Sequence, residues 1–191
     1  MAERRGHIFV VSAPSGTGKT SLCKEILKVL PNITFSISYT TRPPRPGEID
    51  GIHYFFISHP EFEEMIANRK LVEWTEIHGY LYGTSVEWID MHRGQGKDIL
   101  FDIDVKGATE LKSKYPDAIT IFILPPSIEE LRRRLSKRGT EDSESMERRL
   151  KGAEQEMAHA KHYDYTIIND HLSEAIEKLK CIIIAERCKQ K

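Results

Sequence analysis

The chain has 191 residues, with 28 Lys and Arg against 29 Asp and Glu and a net charge of −1. That length fits one domain, and the balanced charge argues against a general nucleic-acid binder, which carries a basic excess. With 39% hydrophobic and 30% charged residues the chain is not a disordered tail, and its apolar runs of four or five residues fall far short of the roughly 20 that span a membrane.

His7–Ser12 reads as an apolar, β-branched strand, Ala13–Gly18 as a Gly- and Pro-rich turn, and Lys19–Leu30 as a helix with Leu22, Ile26, Leu27 and Leu30 at helical spacing, stopped by Pro31. From Ile33 to Ser58 the pattern alternates through Phe35, Ile37 and Tyr39, turns through Arg42–Gly47 and resumes at Tyr54–Ile57, which predicts a small antiparallel sheet. Glu61–Asn68 is a short helix with Pro60 near its start, and Leu71–Trp74 and Tyr80–Tyr82 are strands about a turn at His78-Gly79. Ile99–Ile103 is a buried strand with Asp102 at its end, and Ala118–Leu124 is another, followed by Pro125-Pro126. Ser127–Arg138 is a helix capped by Ser127, with Glu130 completing a capping box. A polar loop, Gly139–Ser143, leads to a helix ending near His159; then come a strand at Tyr165–Ile168 and a closing helix at Leu172–Arg187 with Leu172, Ala175, Ile176, Leu179 and Ile183 on one face.

Strands alternating with helices predict an α/β fold whose parallel sheet is covered on both faces. Residues 36–88 break the alternation and read as an inserted lobe. Met1–His7 is charged and has no signal-peptide apolar core. The three cysteines, Cys23, Cys181 and Cys188, match no metal-ligand spacing and read as reduced thiols of a cytoplasmic protein. The eight histidines form no ligand pattern.

Ala13-Pro14-Ser15-Gly16-Thr17-Gly18-Lys19-Thr20 matches G-x-x-x-x-G-K-[ST] except at its first position, with a strand before it and a helix after. Glycines let backbone N–H groups turn in around phosphate oxygens, and the helix N-terminus adds its positive end. Lys19 would reach the β- and γ-phosphates of a bound nucleotide and Thr20 would ligate Mg²⁺. The apolar strand ending in Asp102 supplies a carboxylate of the kind that holds the same ion.

Arg42 and Arg45 lie three apart on a loop stiffened by Pro43, Pro44 and Pro46, close in sequence to Ser38, Thr40 and Thr41. Two fixed guanidinium forks near hydroxyls suit one dianionic phosphate. Seen alone, the segment is also an exposed basic loop, Glu73 a surface strand carboxylate, and Tyr54 and Tyr82 a packed aromatic pair.

From about Gly6 to Glu186 the sequence resembles the guanylate kinases, enzymes that phosphorylate GMP with ATP. The resemblance rests on Ser12–Lys19, Thr40–Glu48, Tyr54-Phe55-Phe56, Tyr82-Gly83-Thr84, Asp102-Ile103-Asp104 and Pro125-Pro126-Ser127. It implies a P-loop NTPase core (1–35, 89–125 and 160–191), a mixed α/β GMP-binding lobe (36–88) and a helical lid (126–159) within one domain. It further implies that Arg42 and Arg45, with the hydroxyls of Tyr54 and Tyr82, hold the GMP phosphate. Ser38, Glu73 and Thr84 would surround the guanine, with Asp102 and Asp104 at the pocket's edge. The chemistry agrees: guanine offers N1–H and N2–H₂ donors that one carboxylate can accept, whereas adenine's N1 acceptor would repel it.

Eight cationic side chains crowd Leu131–Lys151, mostly a solvated face; the absence of interleaved aromatics argues against nucleic-acid binding. By resemblance, Arg138 and Arg149 reach the transferring phosphoryl group and neutralise its charge. Asn169 either contacts ATP's adenine, as the family implies, or belongs to a turn in which Asp170 caps the last helix. No general base is required, because the attacking phosphate oxygen is already anionic. A kinase of the same core acting on AMP or a non-nucleotide acceptor is disfavoured by Glu73 and the Arg42/Arg45 loop. A phosphopeptide-binding module without turnover would have lost loop and lid residues, whereas Lys19, Thr20, Asp102, Arg138 and Arg149 are all present, and no flanking interaction domain is expected. Assembly into a homo-oligomer stays open.

Overall fold

A computed structural model describes residues 5–136 and 143–189. Parallel strands need crossovers, and helices supply them here. β1 (Ile8–Ser12), α1 (Lys19–Val29) and β2 (Ile33–Phe35) open the chain. β3 (Tyr39–Thr40), β4 (Phe55–Phe56), α2 (His59–Ala67), β5 (Leu71–Ile77) and β6 (Tyr80–Ser85) follow. Then come α3 (Val86–Gly94), β7 (Asp98–Asp102), α4 (Val105–Lys114), β8 (Ile119–Leu124) and α5 (Ile128–Ser136). α6 (Ser143–Met157), a 3₁₀ turn at Ala160–His162, β9 (Tyr165–Ile168) and α7 (Leu172–Cys188) complete the fold.

The main sheet has five parallel strands in the order β2-β7-β1-β8-β9. β1 lies at its centre and is buried along its whole length. Phe9 and Val11 join a cluster with Leu22 and Ile26 of α1 and Leu179 and Ile183 of α7, while Ile8 and Val10 join Trp88 and Ile89 of α3 and Leu111 of α4. Successive strand side chains thus fill opposite faces, and each one fully withdrawn from water contributes about 1.5–3 kcal/mol. Two smaller clusters stand apart. Phe62, Leu71 and Leu81 pack α2 on the second sheet. Leu131 and Leu135 of α5 pack on Met146, Leu150 and Ala153 of α6.

The second sheet has four strands in the order β4-β3-β6-β5. It is not the antiparallel sheet expected from the alternation: β3 pairs antiparallel with β6, but β4 runs parallel to β3. Three prolines between Thr40 and Tyr54 withhold N–H groups and forbid a tight hairpin, so the chain arcs back and re-enters in the same direction. The β5–β6 turn fits expectation, with positive φ at both His78 (53°) and Gly79 (80°), the signature of a type I′ turn.

Several expected ends are revised. Ser127 Oγ does accept from the Glu130 N–H (3.2 Å), but the Glu130 carboxylate turns to Arg133 and Arg134 instead of completing a capping box. A full box forms at Ser58/Glu61, where none was expected. Asp170 does not cap α7. His171 holds that position, with no side-chain bond, and the Asp170 carbonyl accepts from Arg134. No helix among the described residues is long and apolar enough to cross a membrane.

Candidate active site

The carboxyl end of β1 opens into the turn at 13–18. Thr17 closes that turn on Pro14, its Oγ1 and its N–H both donating to the Pro14 carbonyl (2.8 and 3.3 Å). Gly18 has φ +89°, and a Cβ there would come within 2.8 Å of Asn169 Nδ2, so glycine is required by backbone and by space. Ala13, standing where the motif has its first glycine, lies among core residues with no positive φ, so its methyl costs nothing there.

Asp102 leaves the end of β7, beside β1, and takes both functional side chains of the turn. Lys19 Nζ pairs with Oδ1 at 2.6 Å, and Thr20 Oγ1 donates to Oδ2 at 2.9 Å. Lys19 also reaches the Ile103 carbonyl at 3.3 Å. Asp104 caps α4 by accepting from the Gly107 N–H (2.8 Å). It lines both the recess at the turn, about 310 Å³, and a second cleft of about 390 Å³ on the lobe side.

That second cleft gathers Ser38, Arg42, Arg45, Tyr54, Glu73, Tyr82, Asp102 and Asp104. Its lobe residues, up to 44 apart in sequence from Ser38 to Tyr82, meet there because β3, β6 and β5 are neighbours in one sheet. Glu73 is 7% exposed and accepts from Thr84 Oγ1 at 2.7 Å; the Thr84 hydroxyl also lies 3.4 Å from that of Ser38. Burial pushes the Glu73 carboxyl above its ordinary range, and the Thr84 bond only partly opposes this. Thr84 itself is wholly buried behind Glu73 and does not line the cleft. Tyr54 and Tyr82 meet edge to face, centroids 6.0 Å apart.

Sequence reading missed Glu48 as a structural partner. Both its oxygens accept from Arg42 Nη2 (2.9 Å each), and Oε2 also takes the Arg45 N–H at 2.7 Å. Arg42 donates in addition to the Pro43 carbonyl and lies 5.4 Å from the Tyr54 ring centre. Arg42 is therefore braced and buried while Arg45 is exposed. The signal was present, since Glu48 sits inside the Thr40–Glu48 motif, six residues after Arg42.

A third recess, about 330 Å³, lies behind the turn between Gly18, Arg134, Asn169 and Leu172. Asn169 is 4% exposed; its Nδ2 donates to the Thr17 carbonyl at 2.6 Å and its N–H to the Leu124 carbonyl at 2.8 Å. Arg134, also missed, donates to the Asn169 carbonyl at 2.9 Å. From α6, Arg149 Nη2 donates to Ser15 Oγ at 2.8 Å. Arg138 lies outside the described residues. A recess of about 750 Å³ at the opposite, amino-terminal end of β1, β8 and β9 is lined by already paired charges, Glu186 with the Tyr165 hydroxyl (2.5 Å) and Lys112 with Asp164 (3.0 Å), and so has little to offer a ligand.

The family profile described as guanylate kinase matches residues 5–186. The chain belongs to the guanylate kinase family. It is 48% identical over 187 residues to a guanylate kinase of Geobacter sulfurreducens, covering 98% of this chain and 92% of that protein. It is 43% identical over 191 residues to one of Desulfitobacterium hafniense, covering 100% and 96%. Its fold is similar to the crystal structure of guanylate kinase from Anaplasma phagocytophilum, with a TM-score of 0.76 and 33% identity over 100% of this chain and 90% of that one. In this member of the guanylate kinase family, the residues named from sequence lie in or against three adjoining recesses, Arg138 apart.

Proposed function

We propose that this chain transfers the γ-phosphoryl group of ATP to GMP, giving ADP and GDP. The observation that carries this reading is the shared wall: a buried carboxylate and an arginine loop face a cleft whose floor, Asp102 and Asp104, adjoins the phosphate-binding turn.

The backbone N–H groups of the turn and the N-terminus of α1 receive the ATP phosphates. Lys19, held by Asp102 in the free protein, moves to the β- and γ-phosphates. Asn169 and Arg134 shape the recess on the adenine side. Arg42, Arg45, Tyr54 and Tyr82 grip the GMP phosphate, with Glu48 keeping Arg42 in place. Glu73 accepts guanine N1–H and N2–H₂, Thr84 holds Glu73 in its rotamer, and Ser38 supplies a donor to O6. The two bound phosphates then meet across Asp102 and Asp104, where a GMP oxygen attacks in line without a general base. Arg149, and with it Arg138 as the family resemblance implies, neutralises charge on the transferring group.

Thr20 and Asp102 are hard oxygen ligands at the right place for Mg²⁺, which supplies charge neutralisation on the phosphates when bound. Among the described residues no group of three or more His, Cys, Asp or Glu could hold a metal, so phosphate and water oxygens must complete such a shell. We further propose that 36–88 and 126–159 act as a moving lobe and lid on the core, whose closure excludes water and prevents simple ATP hydrolysis. The three free cysteines suit a cytoplasmic setting.

The test is a coupled assay of ADP release from ATP·Mg²⁺ with GMP, AMP, CMP or UMP. Turnover with GMP alone supports the reading. Measurable GMP binding without turnover on any acceptor overturns it in favour of a binding module.

A further inference from the structure

Helix α6 carries two charged side chains seven residues apart, hence two turns along one face. Arg149 reaches the phosphate-binding turn directly, through Ser15 Oγ at 2.8 Å. Glu156 lines the same recess together with Lys19, Thr20 and Asp104. A half-buried carboxylate in an anion cradle demands a reason. It is not there to pin the helix to Lys19, whose short ion pair goes to Asp102 at 2.6 Å. Nor does the proposed transfer step use it. Its effect falls instead on the cradle's charge, because Asp102, Asp104 and Glu156 together outnumber Lys19 and Arg149.

We propose that Glu156 makes the cradle select the metal-loaded nucleotide over the bare one. Its negative charge opposes a bare di- or triphosphate tail and acts far less on a tail whose charge a divalent cation has reduced by two. This inference rests on the kinase reading above. The recess is partly shielded from solvent, so one carboxylate there is worth about three- to tenfold in the affinity of a bare tail.

Titration calorimetry of ADP binding, in Mg²⁺ and in EDTA, tests it on the wild type, Glu156→Gln, Glu156→Asp and, as a charge control on the same helix, the exposed Glu154→Gln. In Glu156→Gln the preference for Mg²⁺-loaded ADP should shrink about three- to tenfold, through tighter binding of bare ADP. Glu156→Asp should restore it and Glu154→Gln should leave it intact. An unchanged preference in Glu156→Gln overturns the inference, as does equal weakening of both forms. A wild type that binds ADP in neither condition overturns the kinase reading itself.

Discussion

Replacing Glu73 with Gln changes one atom of a buried side chain, and the consequences follow from what surrounds it. The carboxylate is 7% exposed and one oxygen already accepts from Thr84 at 2.7 Å. Guanine adds two donors to the same group. Glutamine keeps one carbonyl oxygen and turns an NH₂ donor toward a donor edge, so at least one charge-assisted hydrogen bond is lost and one buried donor is left unmet. Each such loss is worth about 1.5–3 kcal/mol; taken together, about 3–6 kcal/mol, or about 150- to 25,000-fold in kcat/KM for GMP. AMP should lose nothing, because its N1 acceptor no longer meets a carboxylate. Coupled ADP-release kinetics with both acceptors measure the ratio. An unchanged kcat/KM for GMP, or equal losses for both acceptors, refutes the guanine-reading role. The pH profile gives a second handle. Burial sets the folded-state value above the unfolded one, so the cost of Glu73 to the free fold grows as pH rises through the unfolded value to the raised one, and acid, by protonating it, relieves this while turning one of its two acceptor oxygens into a donor. The step that Glu73 adds to the acidic limb of kcat/KM for GMP should therefore be missing in Glu73→Gln, leaving the limb set by the substrate phosphates, and the Tm of that variant at neutral pH should not fall.

Lys19→Met and Arg45→Ala should each cut turnover by about 100-fold or more with circular dichroism unchanged, and wild-type-like rates in either would remove the role assigned to that residue. Asn169→Ala deprives the buried Thr17 carbonyl of its donor, which costs about 1–3 kcal/mol; ADP affinity should drop with the melting temperature, and a loss of neither would show the bond to be idle. Arg93 is 1% exposed, donates to the Gly6 carbonyl at 2.8 Å and pairs with Asp117. Arg93→Met should cost about 3 kcal/mol, lowering Tm by about 6–12 °C, with kcat at 20 °C unaffected.

What the sequence made legible is local. The turn at 13–20 is contiguous, and β1 announces itself by the apolar, β-branched run Ile8–Val11, which the structure buries throughout. Helices α3 and α4 hide because their buried positions break the apolar period: Arg93 is buried though charged, and α4 turns Gly107 and Ala108 inward. The parallel β4 and the Arg42–Glu48 pair depend on the path of one proline-rich loop, which composition marks without tracing. Asp170 loses the helix cap to His171 by a single residue, the kind of boundary that propensity cannot resolve. Asn169 is visible as a residue, but its bond to Thr17 joins positions 152 apart, and no local pattern encodes that.

That separation matters during synthesis. The phosphate-binding turn is among the first segments to leave the ribosome, yet β1, directly before it, pairs with β7 and β8, made some 90–110 residues later. Asn169 follows later still, 152 residues behind its partner. At about 5–20 residues per second the nascent chain carries the turn without its Asn169 donor for about 8–30 s. Competence to hold a nucleotide thus arrives abruptly, near the end of translation, and a chain released early is a chain without the activity.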